Sequence, residues 1–154
     1  MKTIVVATDG SPSAAAAVAF GVELAAEAGG TVHFVYVVSA VPARAFPMVS
    51  VPHELAPPDD APLAGALRYA ATQAVPAEGM LLSGDPVDEI VAHADSLGAD
   101  LIVLGSRGRG TFASALLGST SRGVIGEARR PVLVVHGDAV ATLRAALAAG
   151  AGST

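Results

Sequence analysis

The chain has 154 residues, 52% of them hydrophobic and 15% charged, with a net charge of -5 and no cysteine. That length suits one domain, and the apolar content excludes a disordered chain. The acidic balance argues against a general nucleic-acid binder, while the lack of cysteine excludes disulfides, thiolate zinc sites and a cysteine nucleophile.

The first predicted strand is the continuous apolar run Thr3–Thr8. The opening MKTIVVATDG is too short in its apolar part, and ends in an acid too soon, to read as a signal peptide. Asp9, Glu23 and Glu27 interrupt the first third, so no apolar run reaches the roughly 18 residues of a membrane span. A cytoplasmic location, with no membrane and no nucleic-acid partner, is the default expectation. Ser11-Pro12 supplies an N-cap and a first-turn proline, and a helix runs from there to Ala28, where Gly29-Gly30 stops it. Val32–Val38 is the second strand. Residues 39–58 carry Pro42, Pro47, Pro52, Pro57 and Pro58 and read as a long loop.

Asp59 or Asp60 with Pro62 opens a second helix, with Leu63, Leu67, Ala70 and Ala74 as its stripe. Gly79–Leu82 is a weaker, third strand. Asp85-Pro86 opens a third helix whose positions Val87, Ile90, Val91, Ala94 and Leu97 keep helical period until Gly98. Leu101–Leu104 is the fourth strand. A fourth helix starts at about Ser119 and ends near Arg129-Arg130, ahead of Pro131 and the last strand, Val132–Val135. A helical tail spans about Ala139–Ala149. Strands without polar alternation, separated by helices, predict a doubly wound α/β fold: one parallel sheet with helices on both faces and no second domain.

Ligands of such sheets bind beyond the carboxyl ends of the strands. The loops there are Thr8-Asp9-Gly10-Ser11, Val37-Val38-Ser39 and Gly105-Ser106-Arg107-Gly108-Arg109-Gly110-Thr111. Glycines 105, 108, 110 and 118 let backbone N–H groups face a ligand, and Gly118-Ser119-Thr120-Ser121 opens a helix whose amino end favours phosphate. Segment 107–130 sets five arginines (107, 109, 122, 129 and 130) against the single acid Glu127. Lys2 is the only lysine, which removes a P-loop or Schiff-base lysine. A dinucleotide fingerprint would follow the first strand, where Asp9-Gly10 stands instead, and a Walker loop needs an absent Gly-Lys pair. Ser106 and Ser119 have no histidine partner placed by the sequence, so no catalytic residue is expected. His33, His53, His93 and His136 are scattered without metal-site spacing, and His93, off the third helix's stripe, reads as a surface residue.

The spacing Gly105-x2-Gly108-x9-Gly118-Ser119 resembles the ATP-binding signature of universal stress proteins. Ile4–Ser11, Gly84-Asp85-Pro86 with Ile90, Ala99–Gly105 and Arg130–Val135 are similar to other stretches of that family. The resemblance covers about residues 2–137, taken as one domain, and leaves 138–154 as a C-terminal helical tail. It implies an adenine nucleotide alpha hydrolase-like fold, a five-stranded sheet ordered 3-2-1-4-5, and ATP with magnesium as the bound species. It places adenine near Ala7, Thr8 and Val37, and Asp9 near the ribose or a phosphate-bound magnesium. Asp9 also has a rival role in bracing the turn after its strand. Gly105, Ser106, Arg107, Gly108, Arg109, Gly110 and Thr111, with Gly118, Ser119, Thr120 and Ser121, would hold the phosphates. A homodimer would form through Val132, Leu133, Val134 and Val135. The implied role is regulatory, exercised in stress response through dimerisation or an unidentified protein partner. The alternatives are a nucleotide-independent dimeric interaction module, and an enzyme that transfers nucleotidyl groups or cleaves ATP, slow hydrolysis or autophosphorylation being its mildest forms.

Overall fold

Five short runs rich in valine, isoleucine and leucine pair side by side in the computed structural model, which describes residues 1–39, 61–107 and 117–136 together with Ala145. The strands are β1 (Thr3–Ala7), β2 (Thr31–Val38), β3 (Ala77–Ser83), β4 (Leu101–Gly105) and β5 (Val132–Val135). The helices are α1 (Pro12–Ala28), α2 (Ala61–Thr72), α3 (Pro86–Ser96) and α4 (Ser119–Glu127). All pairings are parallel and the order is β3-β2-β1-β4-β5. Ile4 stands opposite both Val32 and Leu101, which fixes β1 at the centre.

Alternate residues of each strand face opposite layers. Ile4, Val6, Phe34 and Val103 pack with Ala17 and Val22 of α1 and with Leu63 and Ala66 of α2. Val5, Val35, Ile102 and Leu104 pack with Ile90 and Ala94 of α3 and Val124 of α4. The doubly wound prediction is therefore met, with α1 and α2 on one face and α3 and α4 on the other.

Several boundaries differ from expectation. β3 is longer than Gly79–Leu82 and largely exposed, with Met80 and Leu81 about half accessible, because it is an edge of the sheet. α2 ends at Thr72, so Ala74 belongs to an exposed turn rather than to the apolar stripe. Leu97 caps α3 and is exposed. α4 stops at Glu127, since Ala128 is already extended, and Arg130 beyond it donates from Nε to Asp95 Oδ1 at 3.0 Å. The 39–58 loop (Ser39 excepted), Asp59 and Asp60, and the 138–154 tail apart from Ala145 lie outside the described residues. No helix among the described residues is long and apolar enough to cross a membrane.

The two edges differ in character. β3 presents Glu78, 76% exposed, beside Gly79. β5 is uncharged, with Val132, Leu133 and Val134 half-buried and Val135 buried.

Candidate functional site

β1 and β4 are neighbours, yet the chain leaves β1 toward β2 and leaves β4 toward β5. Their carboxyl ends therefore diverge and open a crevice at the reversal of winding. Two loops wall it. In the first, Asp9 Oδ1 accepts from Ser11 N at 2.9 Å and Thr8 Oγ1 accepts from Gly10 N at 3.3 Å. Gly10 has φ 77°, a value that favours glycine. Ser11 then caps α1 by accepting from Ala14 N.

The second loop is sewn to the same helix. Ser13 Oγ lies 3.3 Å from Ser106 Oγ and accepts from Arg107 N at 3.1 Å. Ser106 donates its backbone N–H to Val135 O, Gly118 donates its own to Ser106 O at 2.8 Å, and Ser121 Oγ donates to Gly105 O at 2.7 Å. These bonds hold the amino end of α4 against the carboxyl end of β4.

Among the helices whose cap positions lie within the described residues, α1, α3 and α4, only α4 starts without a side-chain cap. Ser11 caps α1, and Asp85 accepts from Val87 N and Asp88 N of α3. The cap position of α4 is Gly118, which has no side chain to offer. The first-turn N–H groups of α4, with the positive end of its dipole, are thus left for an external acceptor.

A cavity of about 600 Å3 fills the crevice, a size suited to a small-molecule ligand. Ala7, Val35, Val37, Pro86, Ile90 and Leu104 form an apolar part. Thr8, Asp9, Gly105, Arg107 and the run Leu117–Arg122 supply its polar groups. Its described charges are Asp9, Arg107 and Arg122, one acid against two cations, which favours an anion. Asp9 is the single acid of the described lining, and a lone carboxylate fits a magnesium ion that takes most of its oxygens from phosphates and water.

Ten residues predicted from sequence line this one cavity: Ala7, Thr8, Asp9, Val37, Gly105, Arg107, Gly118, Ser119, Thr120 and Ser121. Ser106 does not line it; its buried hydroxyl turns to Ser13. Gly108, Arg109, Gly110 and Thr111 lie outside the described residues. Sequence reasoning missed Ala14, Val35, Tyr36, Pro86, Ile90, Leu104, Leu117 and Arg122. The signal for Pro86 and Ile90 was present, because the helix after β3 starts at the same edge as the other loops. Arg122 stood in the basic segment without being singled out.

The histidines are less scattered than the sequence implies. His33 Nδ1 lies 3.6 Å from Glu78 Oε2 across the β2–β3 pairing. His93 is partly buried, and its pKa is lowered by that burial and then by the charge of His33. No group of three or more His, Asp or Glu among the described residues is arranged to hold a metal ion.

Residues 1–136 match the universal stress protein family. A universal stress protein of Mycobacterium tuberculosis is 36% identical over 141 residues, covering 88% of this chain and 96% of its own. A solved universal stress protein in complex with cAMP superposes with a TM-score of 0.63 at 31% identity, over 88% of this chain and 97% of its own. A universal stress protein from Archaeoglobus fulgidus in complex with dAMP gives a TM-score of 0.63 at 27% identity, over 87% and 97%.

Proposed function

The chain belongs to the universal stress protein family, and from that premise we propose that it binds an adenine nucleotide, ATP with magnesium foremost, and acts by holding it. The observation that carries this reading is the cavity between β1 and β4, where an apolar pocket adjoins the uncapped amino end of α4. The base would lie on the apolar part near Ala7 and Val37, and the phosphates at Gly105 and Gly118–Ser121. The complexes of related proteins with cAMP and dAMP support an adenine ligand. Magnesium, when bound, neutralises phosphate charge; Asp9 is the residue to hold it.

The role is regulatory, read out through a homodimer along β5 or through a protein partner. The uncharged edge of β5 supports that geometry, because an exposed apolar edge otherwise invites uncontrolled pairing.

Calorimetry with ATP and magnesium tests the reading, together with mass spectrometry of any ligand released from freshly purified protein. The informative variant is Gly118→Val. Gly118 has φ -68°, which any residue adopts, so the substitution adds a side chain at the helix start without straining the backbone dihedral. Lost binding with an unchanged melting temperature is expected. Absence of heat and of thermal shift at millimolar ATP with the wild-type protein would overturn the proposal.

A further inference from the structure

We infer that Arg122 is the charge-reading residue of this site, the side chain that contacts a ligand phosphate and ranks ligands by phosphate charge. The inference rests on the nucleotide reading above and adds a residue that lies outside the glycine-rich signature.

Arg122 belongs to the first turn of α4, where its own N–H donates to Gly118 O at 3.1 Å. Helical side chains lean toward the amino end of their helix. The guanidinium follows that rule, and Nη2 donates to the carbonyl of Leu117 at 3.2 Å. It is thereby parked beside the uncapped helix start and lines the cavity with Ser119, Thr120 and Ser121. That bond uses one of its five donors, and on a neutral acceptor. With the described residues its guanidinium makes no ion pair, whereas Arg130 is engaged by Asp95.

A phosphate at the amino end of α4 offers this guanidinium a better partner than a carbonyl does. Charge-assisted bonds are roughly twice as strong as neutral ones, and the planar fork matches two phosphate oxygens. The gain grows with charge on the phosphate. A terminal phosphate monoester, close to dianionic at neutral pH, benefits more than a cyclic diester with one charge, and a nucleoside does not benefit.

The test is calorimetry of wild type, Arg122→Ala and Arg122→Lys with adenosine, AMP and cyclic AMP, beside thermal melts of the three proteins. Arg122→Ala is expected to leave adenosine binding unchanged, to weaken AMP about 10-fold or more, and to weaken cyclic AMP less. Arg122→Lys should restore only part of the loss, because a point charge lacks the fork. Where adenosine binds too weakly to measure, the ratio of AMP to cyclic AMP affinity is the readout. Equal AMP affinity in wild type and Arg122→Ala overturns the inference. So does an equal loss for all ligands, which would mean that Arg122 only braces the Leu117 turn. A wild-type protein that binds none of the three overturns the nucleotide reading itself, and this assignment with it.

Discussion

A β-carbon on Gly105 would stand 2.6 Å from both the carbonyl carbon and the carbonyl oxygen of Ser13. The amino end of α1 is thus pressed against the end of β4. That contact lets Ser13 Oγ reach Ser106 and Arg107 N, and so sets the start of the loop that walls the cavity.

Gly105→Ala should therefore destabilise the fold by about 1–3 kcal/mol through overpacking. Ser13→Ala, which removes only the hydroxyl's bonds, should cost about 0.5–1.5 kcal/mol. The double variant should stay as unstable as Gly105→Ala or more so, because the overlap with the Ser13 carbonyl survives loss of the hydroxyl. Urea denaturation of the four proteins checks this; recovery in the double variant would contradict it.

Three helices end in the same hydrogen-bonded turn, and one of them carries the wrong residue for it. Gly29 after α1 and Gly98 after α3 hold left-handed φ values of 62° and 61°. After α2 the bonds Ala74 N to Ala71 O and Val75 N to Ala70 O repeat the pattern, yet the left-handed position is Ala74 at φ 54°. A left-handed alanine costs about 1–2 kcal/mol, against which glycine loses roughly 0.4–1 kcal/mol of chain entropy. Ala74→Gly should stabilise the protein by up to about 1 kcal/mol, seen as a higher denaturation midpoint. A lower midpoint would contradict it.

Much of this was legible in the sequence, for identifiable reasons. Ser11-Pro12 and Asp85-Pro86 encode helix starts in local chemistry, and Gly29 and Gly98 encode two of the stops. The third stop was hidden because alanine carries no turn signal, which extended α2 by two positions to Ala74. Exposure of β3 was hidden too, since a run of apolar residues does not say whether its strand is central or at an edge. Within the site, the glycine spacing located the cradle but not the purpose of each glycine. Gly105 makes room for Ser13 as well as lining the cavity, and Ser106 serves that junction. Val35 and Leu104 were missed because a cavity wall formed by a sheet face looks, in sequence, like any other core.

Acid should weaken the fold through His93. Its folded pKa is lowered by burial, and by His33, below an unfolded value of about 6.5. The unfolded state then binds more protons, so the contribution is fully present above about pH 6.5 and is lost as pH falls toward the folded pKa. His93→Gln should flatten the fall in melting temperature between pH 7.5 and 5.5. Glu78 must be kept intact in the test, since it lies 3.6 Å from His33. An unchanged slope in His93→Gln would contradict this account.

The proposed dimer can be tested from the backbone of β5. The carbonyls of Pro131 and Val135 accept from Ile102 N and Ser106 N, so residues 131, 133 and 135 turn toward β4. Strand residues alternate sides, which turns the N–H groups of Val132 and Val134 toward the open edge. Val134→Pro deletes one outward donor and leaves the β4 ladder untouched, as edge strands tolerate. Wild type should sediment as a dimer at micromolar concentration and Val134→Pro as a monomer that is still folded by circular dichroism. A monomeric wild type would overturn the proposed dimer, and a Val134→Pro dimer of unchanged affinity would move the interface away from this edge.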